Sequence, residues 1–260
     1  MQSKDFKYNL KKRVMKNRVL FFIWENLSEV KRLMCYRTIA PNVYAISRDK
    51  KLVYLINHKV ASSSIKGCMM GEKKEKEMRL SQDMRVIFKL PADAQQFYKF
   101  TFVRNPYERL VSCYESKYHA DKEKYGKERG YFDAYLLGYI GKDKGFDCFV
   151  KKVCALPVCL MNSHFVPQYN FIFDKKGKKI VDYIGKMENL EADFEVIRKK
   201  FDLYALPHFN KSDSGKKRNW KDYYTLETAE LVYQKYKKDF ECFDYENYYT
   251  ELLEYLKNKS

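Results

Sequence analysis

The sequence predicts an α/β domain with a mostly parallel sheet. Three observations carry this. Short apolar runs at 52–56 (LVYLI), 99–103 (KFTFV) and 181–184 (VDYI) are the length of buried strands rather than helices. Two of them pass at once into small or polar residues and then into a helix start. Segments of helical spacing separate them, and strands alternating with helices give parallel pairing through crossovers.

Length and composition bound the rest. The 260 residues suffice for one full core or two small ones. We expect a basic, helical lead over 1–40 and a single domain over 41–260. A hydrophobic content of 45% and an aromatic content of 17% exclude a disordered chain. The net charge of +17 predicts attraction to polyanions. Its lysines are dispersed, so the charge does not select nucleic acid, and no nucleic-acid partner is expected. Seven cysteines at irregular spacing, with no C-x-x-C pair, argue against structural zinc and for reduced thiols.

In the lead, Leu20, Phe21, Ile23, Trp24 and Leu27 recur at helical spacing. They fit packing on the domain or peripheral contact with a membrane surface, packing being preferred. The apolar run 19–24 is too short for a signal core or an anchor, and a cytoplasmic location is the expectation.

Residues 42–56 read as a hairpin, VYAIS and LVYLI joined by Arg48-Asp49-Lys50-Lys51. The second arm enters Asn57-His58-Lys59-Val60-Ala61-Ser62-Ser63-Ser64, and a helix starts near Ile65 with the serines as its cap. A strand, a small-residue loop and a helix N-terminus make an anion site, because the first-turn N–H groups and the helix dipole face the loop. Lys59 adds a full charge and the hydroxyls add donors. Serines that only cap a helix explain the stretch equally well, and the nucleotide loop G-x-x-x-x-G-K-[ST] is absent.

Residues 71–79 read as a charged, exposed stretch and 84–88 as a short strand. After KFTFV comes Arg104-Asn105-Pro106-Tyr107-Glu108-Arg109-Leu110-Val111-Ser112. Pro106 suits the first helical position. Arg104 stands at a strand's carboxyl end, where ligands gather in open α/β sheets. Ser112 lies about two turns into the helix, so the two could share a second phosphate. Taken alone, an Arg–carboxylate pair and an ordinary helical Ser explain them better.

Residues 119–145 read as a polar, Tyr-rich excursion or lid, and 146–153 as helical. The uncharged segment 161–173 carries His164. After 181–184, Gly185-Lys186-Met187-Glu188-Asn189-Leu190 turns into a helix reaching about 201. A loop at 206–212 leads into the basic run 211–221, and 223–256 is helical again.

In order, Lys59-Val60-Ala61-Ser62-Ser63-Ser64, then Phe102-Val103-Arg104-Asn105-Pro106-Tyr107-Glu108-Arg109-Leu110-Val111-Ser112, then His164-Phe165-Val166-Pro167-Gln168, then Gly185-Lys186-Met187-Glu188-Asn189-Leu190, then His208-Phe209-Asn210-Lys211-Ser212 form a set. The set resembles the carbohydrate sulfotransferase family that includes the chondroitin 4-O-sulfotransferases and, more distantly, heparan sulfate 2-O-sulfotransferase. The resemblance spans about residues 50–248. It implies a P-loop-like three-layer fold that uses 3′-phosphoadenosine 5′-phosphosulfate (PAPS) and releases PAP. It implies that Lys59, Ala61, Ser62, Ser63 and Ser64 grip the 5′-phosphosulfate, and that Arg104 and Ser112 grip the 3′-phosphate. Asn210, Lys211 and Ser212 follow as secondary cofactor contacts. His58 stands where many members carry Pro or Arg, and 119–145 has no counterpart, which leaves the acceptor open between a glycan and a small-molecule alcohol.

Sulfuryl transfer to a hydroxyl resembles phosphoryl transfer: an in-line displacement governed by positioning and charge stabilisation. Lys59 and the loop N–H groups would stabilise charge on the leaving oxygen. The acceptor hydroxyl needs a general base. Of the four histidines, 58, 119, 164 and 208, His164 is the first choice and His58 the second. Glu115 and Glu188 are further options, Glu188 being expected to serve structure. No metal is expected. Two other classes compete: a P-loop-type kinase, opposed by the missing G-K-[ST] and the lack of a clear Asp for Mg²⁺, and a non-catalytic polyanion-binding module.

Overall fold

The computed structural model describes residues 17–70, 84–119, 132, 134–140, 145–206 and 219–259. Its sheet has five strands among these residues: β1 (Tyr44–Ser47), β2 (Leu52–Leu55), β3 (Met84–Ile87), β4 (Tyr98–Val103) and β5 (Tyr183–Lys186), in the order β3-β1-β2-β4-β5. β2, β4 and β5 pair in parallel, while β1 pairs antiparallel with both β2 and β3. Four strands therefore share one direction and β1 opposes them. The hairpin expected at 42–56 accounts for that exception.

Helices lie on both faces. They are α1 (Arg18–Tyr36), α2 (Ser62–Met70), α3 (Pro106–Cys113), α4 (Gly145–Ala155), the single turn α5 (Tyr169–Ile172), α6 (Leu190–Phe201), α7 (Leu226–Lys235), α8 (Lys237–Cys242) and α9 (Glu246–Lys259). Side chains alternate along the strands, as the pleat requires. Leu52 and Tyr54 of β2, with Phe100 and Phe102 of β4, meet Ile65, Cys68 and Met69 of α2 and Phe194 and Ile197 of α6. Leu55 and Val103 face the other way, into a larger core with α3, α4, α7 and α9. This gives three layers with β2 and β4 at the centre.

Three expectations are corrected. The last strand starts two residues later than expected, and Gly185 lies within it rather than in the turn to the helix. The helical stretch expected over 223–256 is three helices, broken at Tyr236 and at Phe243-Asp244-Tyr245, where Asp244 has φ +56°. In α1 the apolar positions Leu20, Ile23 and Leu27 face outward, and the domain contact is made by other residues. Asn26 Nδ2 donates to Ala134 O at 2.9 Å, and Leu136 N donates to buried Glu29 at 3.1 Å.

All seven cysteines are free. No described helix is long and apolar enough to cross a membrane.

Candidate functional site

Because β2 and β4 are parallel neighbours, with Tyr54 opposite Phe100, their carboxyl ends release two loops on the same edge of the sheet. Asn57 locks the first loop: its Nδ2 donates to Phe102 O at 3.0 Å and to Gln168 Oε1 at 2.9 Å. Lys59 (φ +71°) and Ala61 (φ +55°) take left-handed backbone, costly for residues with a Cβ and concentrated at functional sites. The chain thereby enters α2 at Ser62. Ile65 N closes the first turn onto Ala61 O at 3.0 Å, so the N–H groups of Ser62, Ser63 and Ser64 precede the first intrahelical donor.

The second loop starts α3. Asn105 caps it, its Oδ1 accepting from Tyr107 N at 3.1 Å, and Pro106 follows in the first turn as expected. Arg104 spans the gap between the loops. Its Nη1 lies 3.5 Å from Lys59 O and its Nη2 donates to Glu108 at 2.8 Å. Lys59 in turn donates from Nζ to Ser116, whose hydroxyl donates to Ser112 O at 2.8 Å. Ser116 sits in a π-helical turn, Tyr114–His119, that continues α3, a distortion frequent at functional sites. Lys59, Arg104 and Ser112 thus belong to one connected cluster.

Buried polar atoms ordinarily find partners. Among the described residues six such side-chain atoms lack one, and Asn57 Oδ1, Arg104 Nε and Asn105 Nδ2 fall at these two junctions. The unmet guanidinium N–H is a donor suited to an anionic oxygen. The charges agree. Burial pulls Lys59 down to about 8, with Lys117, Arg104 and Arg109 adding repulsion. Cations that lower one another's proton affinity make a site an anion would relieve. These residues fit a cofactor with two anionic ends.

Next to Lys59 stand two imidazoles. The rings of His58 and His164 are 4.5 Å apart between centroids, tilted by 34°. Burial, then Arg109 and nearby lysines, pulls His58 down to about 3. Burial, then His58, Lys117 and Lys59, holds His164 well below the usual histidine value. Both are neutral near pH 7. Asn162 Oδ1 lies 2.8 Å from His164 Nδ1 and also accepts from His164 N at 3.1 Å. An oxygen facing Nδ1 places the proton there and leaves Nε2 as the acceptor, the state a general base needs.

Of the other two candidate bases, exposed Glu115 accepts from Tyr223 OH at 2.8 Å. Glu188 accepts from Asn105 N at 2.7 Å and from Tyr245 OH at 2.9 Å. Its role is structural, as expected, but it braces the α3 junction instead of its own helix start. Asn210, Lys211 and Ser212, with His208, lie outside the described residues. So do 71–79 and most of 119–145.

The sequence reading missed the supports. Arg109 is buried and donates to three carbonyls: His58 O at 3.1 Å, Val166 O at 2.8 Å and Ser163 O at 3.2 Å. Gln168 accepts from Arg104 N at 2.9 Å and returns a bond from Nε2 to Arg104 O at 2.8 Å. Asp239 accepts from Gln168 N at 2.8 Å and Tyr169 N at 2.7 Å, and burial pushes its carboxyl up to about 6. Arg109 and Gln168 lie inside quoted motifs, so a signal existed. Asp239 had none. Among the described residues no group of three or more His, Cys, Asp or Glu is gathered to hold a metal ion.

The chain is 30% identical over 174 residues to human (Homo sapiens) carbohydrate sulfotransferase 14, covering 60% of this chain and 46% of that protein. It is 29% identical over 179 residues to the zebrafish (Danio rerio) carbohydrate sulfotransferase 14, covering 64% and 44%. It is 20% identical over 176 residues to mouse (Mus musculus) carbohydrate sulfotransferase 12, covering 58% and 41%. The match thus spans less than half the length of each relative. No solved structure matches. Residues 42–246, from the hairpin through the start of α9, match the family model described as the sulfotransferase family, and the chain belongs to that family.

Proposed function

We propose that this chain is a PAPS-dependent O-sulfotransferase. The observation that carries the reading is the junction of the two loops, where Arg104 reaches the carbonyl of Lys59 and Lys59 reaches the helix bearing Ser112. A donor with a phosphosulfate at one end and a 3′-phosphate at the other needs two anion grips at one sheet edge. Ser62, Ser63 and Ser64, with the N–H groups of α2 and Ala61, suit the first grip. Arg104 and Ser112 suit the second, with Asn210, Lys211 and Ser212 as further contacts.

PAPS, when bound, supplies an activated sulfuryl group on a phosphate oxygen. Lys59 would hold its ammonium where leaving-group charge grows. His164 would take the acceptor hydroxyl's proton at Nε2, with Asn162 fixing the tautomer. The names of the relatives and the charge of +17 favour an acidic glycan acceptor over a small alcohol.

The test is a transfer assay with labelled PAPS against a panel of glycans, phenols and sterols, beside thermal shifts with PAP and with ATP–Mg²⁺. Label transfer and a shift with PAP alone support the reading. A shift with ATP–Mg²⁺ alone would favour a kinase. Salt-sensitive polyanion binding without nucleotide saturation would favour a non-catalytic module.

A further inference from the structure

We propose that the outward face of α1 is a helix-to-helix contact between two copies of this chain. Leu20, Ile23, Leu27, Val30 and Met34 follow one another at steps of three, four, three and four residues. That is the spacing of a coiled-coil seam, in which each side chain seats between residues of a facing helix. All five are exposed, from 47% at Leu20 to 76% at Met34.

The helix itself is already fixed. Asn17 caps its start, accepting from Val19 N at 3.0 Å and Leu20 N at 3.1 Å. Arg37 ends it in left-handed backbone. Asn26 and Glu29 pin its inner side to residues 134–137. A partner helix therefore meets a formed surface, and little ordering entropy opposes association.

Area and charge select a second copy. With Val19, the seam exposes roughly 600 Å² of apolar side chain, the upper end of what a monomer leaves in one patch. It approaches the ~800 Å² each partner gives to a standard stable interface. A helix that lies on anionic lipid carries Lys and Arg along its polar side. Here that side carries both signs: Arg32 pairs with Glu25 at 3.6 Å.

Sedimentation of the full chain at micromolar concentration tests this. The expected result is twice the monomer mass, returning to monomer in the double variant Ile23→Glu/Val30→Glu with an unchanged circular dichroism spectrum. Should that variant lose its fold, Leu27→Asn gives the same reading. A wild-type monomer overturns the proposal, as does a dimer that both variants leave intact. A monomer that sediments only with phosphatidylserine vesicles assigns the face to membrane and also overturns it. Association seen only after removal of residues 1–16 does the same, assigning the face to the chain's own leader.

Discussion

Arg109 Nε donates to the carbonyl oxygen of His58 across 3.1 Å, from a side chain only 2% exposed. One guanidinium therefore ties the loop after β2 to the 163–166 segment that carries His164. Lysine cannot reproduce a planar fork serving three acceptors. In Arg109→Lys at least one carbonyl loses its donor, at about 1–3 kcal/mol for each one left unmet. We expect a lower melting temperature and weaker PAP binding together. An unchanged melting curve would show that the fork does not hold the loop.

Lys59 is expected to behave in the opposite sense. Burial and neighbouring cations disfavour its charge in the folded protein. Lys59→Met should leave the ligand-free melting temperature level or raised. The same variant should weaken PAP about 10- to 100-fold, the loss of one charge-assisted bond of roughly 1.5–3 kcal/mol. Thermal melting with and without PAP reads both quantities. Equal PAP shifts in the variant and the parent would remove Lys59 from the site.

The same residue sets a pH dependence. With Lys59 at about 8 in the folded, ligand-free protein, a bound anion must raise it. Binding then takes up protons near pH 8, and PAP affinity falls as pH rises through that value. The ligand-free protein shows the converse. Its Lys59 sheds its proton before the unfolded chain does, so this group's contribution to stability grows between about 8 and the unfolded lysine value. Calorimetry in two buffers of different ionisation enthalpy measures the uptake, and identical heats at pH 8 would contradict it.

His164 and His58 are close enough to confuse, and kinetics separates them. His164→Asn should lower kcat by about 10²- to 10⁴-fold, the usual share of a general base, with PAP affinity retained. His58→Asn should cost less than about tenfold, because among the described residues no polar group fixes its tautomer as Asn162 fixes that of His164. The acid limb of kcat/KM should lie below the ordinary histidine value, since His164 is held down in the free enzyme. A larger loss in His58→Asn would exchange the two roles.

The two junctions proposed to hold the cofactor were legible in the sequence because they are local. Lys59 and Ser62–Ser64 sit in one loop-to-helix junction, and Arg104 with Pro106 marks a strand end and a helix start within three residues. The supports were not legible, because they are made at long range. Gln168 meets Arg104 across 64 residues and Asp239 across 71. Neither has a local pattern that names its partner. The α1 face misled for a related reason. Helical spacing shows that Leu20, Ile23 and Leu27 share a side, but not which way that side faces. The contact with the domain is made in part by Asn26 and Glu29, polar residues that periodicity passes over, with Leu33 packed on the core beside them.

Gly185 shows how closely the sheet beneath the site is fitted. It pairs with Phe102 in the β4–β5 ladder, one residue short of the Val103–Lys186 pair that ends beside Arg104. A Cβ at Gly185 would stand 2.3 Å from Phe102 Cε1 and 2.7 Å from two more ring carbons. The Phe102 ring is fully buried against Phe100 and Phe194, so it has nowhere to turn. Gly185→Ala should therefore cost about 1–3 kcal/mol through overpacking, although alanine favours neither cavity nor unpaired polar group there. The strain falls on the strand that delivers Arg104, so PAP affinity should drop with stability. Gly177→Ala serves as the control: its φ of +77° also makes alanine costly, but the nearest atom is the Tyr169 hydroxyl at 3.6 Å and the turn lies outside the ladder. Loss of stability in both variants, with PAP affinity reduced only in Gly185→Ala, is the expected pattern. Equal affinities would mean that the β4–β5 fit does not set the position of Arg104.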